Sequence, residues 1–322
     1  MNNAGHGAAP AARRISLVLG SGGARGYAHV GVIEELLAQG FSIDSVAGSS
    51  MGALVGGMHA AGKLDAYRDY VLALQRLDVL RLIDWTFRGG GLIKGDRISG
   101  VLRELVGDTH IEGLPIPYTA VAVDLDAQRE VWFSRGSLFD AIRASIAIPT
   151  VFRPHRYEGR LLVDGGLLNP LPVSPTLRDL TEATIAVDVN AQAESLGVAG
   201  QGNGGDAGQA PQVVDAADAS AADDVPAPRR RRFAAFLDAF AERRERNAAL
   251  HEPGALELFA RSLDVVQETV TRLKLAAQPP DLLITIPRNA CAFYEFHRAA
   301  ELIELGRQRT REALARWQPP VR

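Results

Sequence analysis

The sequence contains almost no cysteine, since Cys291 is the single one among 322 residues. No intrachain disulfide can form, so we expect a reducing, cytoplasmic compartment, with peripheral contact at the inner face of the membrane as a further possibility. Charge of one sign is not in excess either, because 35 Lys and Arg face 38 Asp and Glu. This balance argues against a nucleic-acid partner. Paired Cys or His spacings typical of zinc and loops typical of calcium are both missing, so we expect no metal and no cofactor.

Long hydrophobic runs are also missing. Residues 15–19 are apolar, but the run is too short for a signal peptide and indicates a strand. Residues 45–62 carry no charged side chain, yet their glycines and serines and His59 favour a buried strand, turn and helix over a membrane span. Hydrophobic residues make up 47% of the chain, which is enough for the core of one large α/β domain or two small ones.

Strand and helix patterns alternate from the start of the chain. Residues 15–20 and 43–47 are predicted strands, and each precedes a predicted helix, at 25–39 and 51–61. This order is typical of a mostly parallel central sheet with helices on both faces, a three-layer α/β/α fold. Further strands are predicted at 118–124, 130–134, 184–189 and 281–286, a hairpin arm at 156–163, and helices at 64–77, 98–106, 255–276 and 292–317.

Residues 191–228 interrupt this pattern, because they contain no aromatic residue, lysine or arginine. Such a segment buries too little apolar surface to offset its chain entropy, so we predict a disordered insertion. The expected organisation is a flexible N-terminus (1–14), a catalytic core (15–190), the insertion, and a final segment (229–317) that completes the same domain.

A Gly-X-Ser-X-Gly motif runs from Gly48 to Gly52 and centres on Ser50. A nucleophile elbow needs a strand before it, a helix after it and small flanking residues, and all three are predicted here. Ser50 would stand at a helix N-terminus, where the helix dipole favours an anionic oxygen. The alternatives are a plain strand-helix turn, or Ser49 as nucleophile, although Ser49 lacks the glycine flanks.

A glycine-rich turn, residues 20–26, follows the first predicted strand. Its backbone N–H groups, at Gly22, Gly23 and Ala24, could hold the oxyanion that forms during acyl transfer. A dinucleotide-binding loop is the rival interpretation, but its third glycine would fall on Arg25 and its acidic partner, Asp44, precedes the expected position. A turn with no chemical role is the third possibility.

Asp164 is the predicted base, because it ends an apolar strand and Gly165 and Gly166 present it at a turn. A histidine would complete a conventional triad, and His251 and His297 have the required chain order. His297, however, falls in a predicted helix and His251 borders the insertion. We therefore expect neither to act, and we expect His29 and His59 to be structural.

These motifs together resemble the patatin-like phospholipase family, in its bacterial branch related to neuropathy target esterase. The resemblance rests on the glycine turn, the Ser50 elbow and the Asp164 turn in the family's order, and it covers most of the chain. Supporting stretches are residues 144–149, 152–154, 169–173, 279–284 and 295–299. Two features depart from the family pattern: Gly20-Ser21 stands where the family often has Asp-Gly, and the insertion has no family counterpart.

The resemblance implies a patatin-like fold and a Ser50–Asp164 dyad. It also implies an oxyanion site at Gly22, Gly23 and Ala24, with Arg25 fixing the loop. The expected activity is hydrolysis of phospholipid, lysophospholipid or simple esters without a metal. An acyltransferase or thioesterase using the same acyl-enzyme, and a lipid-binding module with little turnover, are the alternatives.

Residues 229–246 form a predicted basic amphipathic helix, with seven arginines against three acidic residues. Phe233, Phe236, Leu237 and Phe240 share one face of it. That face could lie in a lipid interface or pack on the domain core, and both interpretations stay open.

Overall fold

The structure, a computed structural model, describes residues 13–82, 91–93, 95–194 and 255–318. Described residues up to Glu194 and from Ser262 onward belong to one compact unit. A second unit spans 197–261, and the structure describes only 255–261 of it. The predicted insertion meets the described residues only at 191–194, and its start is wrong, because Ala191 ends the strand Ala183–Ala191 and pairs with Pro287. The predicted amphipathic helix at 229–246 lies outside them, as does His251.

The described helices follow the predicted order, with two additions. They are α1 (Ala28–Ala38), α2 (Met51–Ala60), α3 (Leu64–Ala73), α4 (Arg76–Leu82), α5 (Asp96–Val106), α6 (Leu138–Ser145), α7 (Ala255–Ala277) and α8 (Ala299–Arg316). A 3-10 turn at Gly23–Tyr27 precedes α1. The single helix predicted over 64–77 is wrong, since Leu74 is extended and separates α3 from α4. Helix α6 had no counterpart among the predicted elements.

The strands build one eight-stranded sheet and a small two-stranded sheet. They are β1 (Arg13–Leu19), β2 (Phe41–Ser49), β3 (Gly91–Ile93), β4 (Tyr118–Asp124), β5 (Arg129–Phe133), β6 (Thr150–Phe152), β7 (His155–Tyr157), β8 (Arg160–Asp164), β9 (Ala183–Ala191) and β10 (Leu282–Pro287). Pairing in β1 begins at Arg13, so the predicted flexible N-terminus is wrong at Arg13 and Arg14. Its residues 1–12 lie outside the described residues.

The large sheet has the strand order β10-β9-β1-β2-β4-β8-β7, and β5 also pairs with β4. Strands β10, β9, β1, β2 and β4 pair with one another in parallel, whereas β5 and β8 pair antiparallel with β4, and β7 pairs antiparallel with β8. The prediction of a mostly parallel central sheet is therefore confirmed. Parallel strands bring their carboxyl ends to one edge, and ligand sites in such sheets form beyond that edge.

Alternate side chains of each central strand face opposite sides of the sheet. In β1, Ile15, Leu17 and Leu19 enter the large core beneath α1 and α2. Val18 faces the other way, into a smaller cluster that packs against Leu275 of α7. Helices thus cover both faces, which confirms the three-layer α/β/α fold. Among the described residues, no helix combines the length and apolar character needed to cross a membrane.

Candidate active site

Ser50 occupies the turn between β2 and α2 in a strained backbone conformation. Its φ of 54° and ψ of −123° are unusual for a residue with a side chain. Two flanking glycines allow this turn to form. A Cβ on Gly48 would overlap the Gly52 carbonyl, and a Cβ on Gly52 would overlap the Leu19 carbonyl. The elbow therefore packs directly on the end of β1, which precedes the glycine-rich turn.

Asp164 lies beside Ser50 although 114 positions separate them. Strand β4 brings them together, because Ser49 pairs with Val121 on one side of it and Asp164 pairs with Ala122 on the other. The Ser50 hydroxyl donates a hydrogen bond to Asp164 Oδ2 at 2.5 Å. Asp164 Oδ1 accepts the N–H of Gly166 at 2.7 Å, which fixes the orientation of the carboxyl group.

Burial dominates the electrostatics of Asp164. Only 4% of the residue is exposed. Desolvation disfavours its carboxylate form and raises the pKa to about 7, although the hydrogen bonds from Ser50 and Gly166 oppose this shift. A carboxyl group with this pKa can accept and return a proton near neutral pH.

The glycine-rich turn is held against three neighbouring segments. Gly20 N–H donates to the Val187 carbonyl at 3.0 Å, and Ser21 N–H donates to the Pro170 carbonyl at 2.8 Å. Gly23 has a φ of +57°, and a Cβ there would lie 2.5 Å from the Phe293 carbonyl oxygen. These contacts explain why small residues are needed in the turn.

The Ala24 N–H donates to the Phe293 carbonyl at 2.8 Å. The expectation that Ala24 would be an oxyanion donor is therefore wrong for this structure. The N–H groups of Gly22 and Gly23 have no hydrogen-bond acceptor within the part of the chain that the structure describes. Two donors of the predicted three thus stay available for an anion.

Arg25 is 4% exposed and points beneath the loop. Its guanidinium donates to Asn190 Oδ1 at 2.6 Å and to the carbonyls of Arg288 and Cys291 at 3.2 and 3.3 Å. Asp264 of α7 lies 3.5 Å away and supplies a counter-charge. The side chain therefore connects the glycine-rich turn to the end of β9 and to the segment that follows β10.

The dinucleotide alternative fails on the position of its acidic residue. Asp44 accepts a hydrogen bond from Ser42 at 2.6 Å and pairs with Arg14 near the start of β1. The glycine-rich turn follows the other end of that strand, so Asp44 cannot serve a ribose bound there. Ser49, the alternative nucleophile, is fully buried, and its hydroxyl has no partner among the described residues.

Among the described residues, no histidine is a hydrogen-bond partner of Ser50 or Asp164. His29 is fully buried with Nε2 2.8 Å from the Gly20 carbonyl, and burial lowers its pKa to about 4. His59 is partly buried in α2, and desolvation lowers its pKa to about 4 as well. Both positions agree with the structural roles predicted for them.

The prediction that His297 lies in a helix is wrong. Residues 292–298 form turns, and α8 begins at Ala299. The backbone hydrogen bonds of this segment are not those of a helix. The Phe293 carbonyl accepts from the Ala24 N–H, and the Ala292 N–H donates to Glu295 Oε2 at 2.7 Å. His297 itself is exposed in this loop.

Sequence reasoning missed a polar cluster behind the glycine-rich turn. Asn190 Nδ2 donates to the Ser21 carbonyl at 2.7 Å, and the Ser21 hydroxyl lies 3.2 Å from Gln267 Oε1. Asn190 lies at the carboxyl end of β9. Once β9 is known to pair with β1, that position indicates a contact with the glycine-rich turn that follows β1. Gln267 comes from the middle of α7, where no local pattern marks it.

The glycine-rich turn, the Ser50 elbow and the Asp164 turn thus meet at one edge of the sheet. The family model described as patatin-like phospholipase matches residues 17–177. An uncharacterized NTE family protein of Mycobacterium tuberculosis is 41% identical over 341 residues, covering 94% of this chain and 91% of that protein. The chain belongs to the patatin-like phospholipase family.

More distant relatives extend the comparison to animal proteins. Neuropathy target esterase sws of Drosophila melanogaster is 32% identical over 186 residues, which cover 55% of this chain and 13% of that protein. Patatin-like phospholipase domain-containing protein 6 of Mus musculus is 32% identical over 187 residues, covering 56% and 14%. Within the family, these names and that of the mycobacterial relative support the bacterial branch related to neuropathy target esterase.

Proposed function

We propose that the protein is a serine lipid acyl hydrolase that cleaves carboxylic esters of phospholipids, lysophospholipids or simple esters. The observation that carries this proposal is the 2.5 Å hydrogen bond from the Ser50 hydroxyl to Asp164, formed at a strained elbow. Family membership supports a lipid or ester as substrate. A lipid-binding module without turnover has no need for a buried serine bonded to an aspartate whose pKa is about 7.

The reaction begins when Ser50 Oγ attacks the ester carbonyl carbon and Asp164 takes its proton. The N–H groups of Gly22 and Gly23 stabilise the oxyanion, and the N-terminus of α2 adds a favourable dipole. Asp164 returns the proton to the leaving alcohol as the acyl-enzyme forms. A water then loses a proton to Asp164 and attacks the acyl-enzyme, and the proton passes to Ser50 as the fatty acid leaves.

Arg25 acts indirectly in this proposal. Its contacts with Asn190 and with two backbone carbonyls hold the glycine-rich turn from behind. The N–H groups of the turn can then stabilise the negative charge that develops on the ester oxygen without first moving. Such preorganised donors are the basis of electrostatic catalysis. Membrane contact through residues 229–246 stays a prediction, because that segment lies outside the described residues.

A fluorophosphonate probe tests the nucleophile directly. Wild-type protein should become labelled, and mass spectrometry should place the label on Ser50. Ser50→Ala and heat-denatured wild type should both stay unlabelled. Label on Ser49 or Ser145 would overturn the assignment.

A panel of phospholipid, lysophospholipid and short-chain esters then tests the reaction class. Release of free fatty acid supports the hydrolase. Transfer to an added alcohol in preference to water, or a strong preference for thioesters, would favour an acyltransferase or a thioesterase on the same dyad. Labelling without turnover of any ester would contradict the proposed hydrolase.

A further inference from the structure

The end of α6 and the residues just after it contact the backbone of both dyad residues. Ser145, the last residue of α6, accepts a hydrogen bond on its Oγ from the Ser50 N–H at 2.9 Å. Two residues later, the Ala147 carbonyl accepts the Asp164 N–H at 3.0 Å. One short stretch of chain thus fixes the main chain of the nucleophile and that of the base.

The Ser145 hydroxyl is itself held in one orientation. It donates to the Val121 carbonyl at 2.6 Å while it accepts from Ser50. Val121 is the β4 residue that pairs with Ser49, so the Ser145 hydroxyl bridges β4 and the turn that follows β2. Ser145 is fully buried, so this contact is shielded from bulk water.

Ser50 needs this acceptor for a geometric reason. Its N–H lies past the end of β2 and before the first hydrogen-bonded turn of α2, so neither element supplies a partner. A buried N–H without an acceptor is unfavourable, and a residue with positive φ keeps that conformation only when its surroundings enforce it. Among the described residues, Ser145 is the acceptor of this N–H.

We infer that Ser145 is a positioning residue, which holds the Ser50 backbone in the elbow conformation that aims its hydroxyl at Asp164. This inference rests on the proposed function of Ser50. Ser145 is not a catalytic residue, because its hydroxyl is occupied by two backbone groups and has no hydrogen bond to the Asp164 carboxyl group. Because the Ser50 N–H donates to Ser145 Oγ, it is not available as an oxyanion donor.

Ser145→Ala deletes the acceptor and leaves the Ser50 N–H buried and unpaired. We expect kcat for ester hydrolysis to fall about 10- to 100-fold, the effect of a lost buried hydrogen bond at the reacting group. KM should change less than about twofold, whereas the midpoint of the pH–rate profile should move upward, because the Ser50 hydroxyl that favours the Asp164 carboxylate is no longer held against it. Ser145→Cys places a weaker acceptor of similar shape at this position, so its kcat should lie between those of Ser145→Ala and wild type.

Ser16→Ala is the matched control. Ser16 is also a fully buried serine, and its hydroxyl donates to Asp179 at 2.9 Å in the middle of β1. This variant should lose stability without losing kcat, measured on protein shown to be folded by circular dichroism. A folded Ser145→Ala or Ser145→Cys protein with wild-type kcat, or an equal loss in Ser16→Ala, would overturn the positioning role.

Amide hydrogen exchange separates this inference from the proposed function. Exchange at Ser50 should be faster in Ser145→Ala than in wild type, whether or not the protein hydrolyses esters. If wild type takes no fluorophosphonate label but the Ser50 amide loses protection in the variant, the proposed function fails and the contact stands. If wild type is labelled on Ser50 and the variant keeps both its rate and its protection, only the positioning role fails.

Discussion

Replacing Asp164 with Asn should make the protein inactive and more stable at neutral pH. The carboxyl group is buried, and desolvation raises its pKa from 3.8 to about 7. In the unfolded chain the same group ionises near pH 4. The folded protein therefore holds a proton between about pH 4 and pH 7 that the unfolded chain releases.

The sign of the pH dependence follows from this difference. Because the folded pKa lies above the unfolded one, the contribution of Asp164 to stability is greatest below about pH 4 and declines as pH rises through 7. A pKa difference of about 3 corresponds to about 4 kcal/mol at about 1.36 kcal/mol for each pH unit. An asparagine has no charge to desolvate, so Asp164→Asn should avoid up to about 4 kcal/mol of destabilisation above pH 7.

Urea unfolding of wild type and Asp164→Asn at pH 4, 5, 6, 7 and 8 measures this effect. The difference in unfolding free energy should grow by about 1.4 kcal/mol per pH unit up to about pH 7 and then level off. Asp126→Asn, which alters an exposed aspartate, is the control and should show no such trend. A constant difference between wild type and Asp164→Asn across this range would refute the reasoning. The kcat of Asp164→Asn should fall about 10³-fold or more, as for other members of a catalytic dyad or triad.

Three further measurements test the site and its packing. The kcat/KM should rise about tenfold per pH unit below pH 7 and level above it, since Asp164 must be ionised to act as a base; a flat profile from pH 5 to 8 would contradict that role. His297→Ala should keep most of the turnover because His297 is exposed, and a 10³-fold loss would instead indicate a histidine-dependent mechanism. Gly100→Ala fills open space in α5 and should add about 0.5–1 kcal/mol to the unfolding free energy, whereas Gly52→Ala, which overlaps the Leu19 carbonyl, should prevent folding or lower Tm sharply. A raised Tm for the Gly52 variant would show that the elbow is looser than described.

The catalytic motifs could be predicted because each is a local signal. Gly48, Ser50 and Gly52 satisfy the steric needs of one turn, and the strand before them and the helix after them have clear apolar patterns. Strand β4 was predicted over its observed residues, 118–124, for the same reason. Local signals are enough where hydrogen bonds and steric limits involve neighbours in sequence.

The errors came where distant segments decide the local conformation. Residues 292–298 have a helical pattern, but the Phe293 carbonyl bonds to Ala24 and the segment forms turns instead. That same contact removes Ala24 from the oxyanion donors. Ser145 was noted only as part of a stretch typical of the family. Its contact with Ser50 depends on how α6 packs against β4, which no single-sequence pattern encodes.

Ser50 and Asp164 come together from strands on opposite sides of β4, and this arrangement also has a kinetic consequence. Strands β1 and β2 and helix α2 are close in sequence, so the elbow requires only short loops to close. The base arrives with β8, whose pairing with β4 runs through Ala122, Val123 and Asp124. During refolding, far-UV circular dichroism should therefore recover before fluorophosphonate reactivity does. A chain that has formed the Ser50 elbow would stay unreactive until the antiparallel pairing of β8 with β4 places the base.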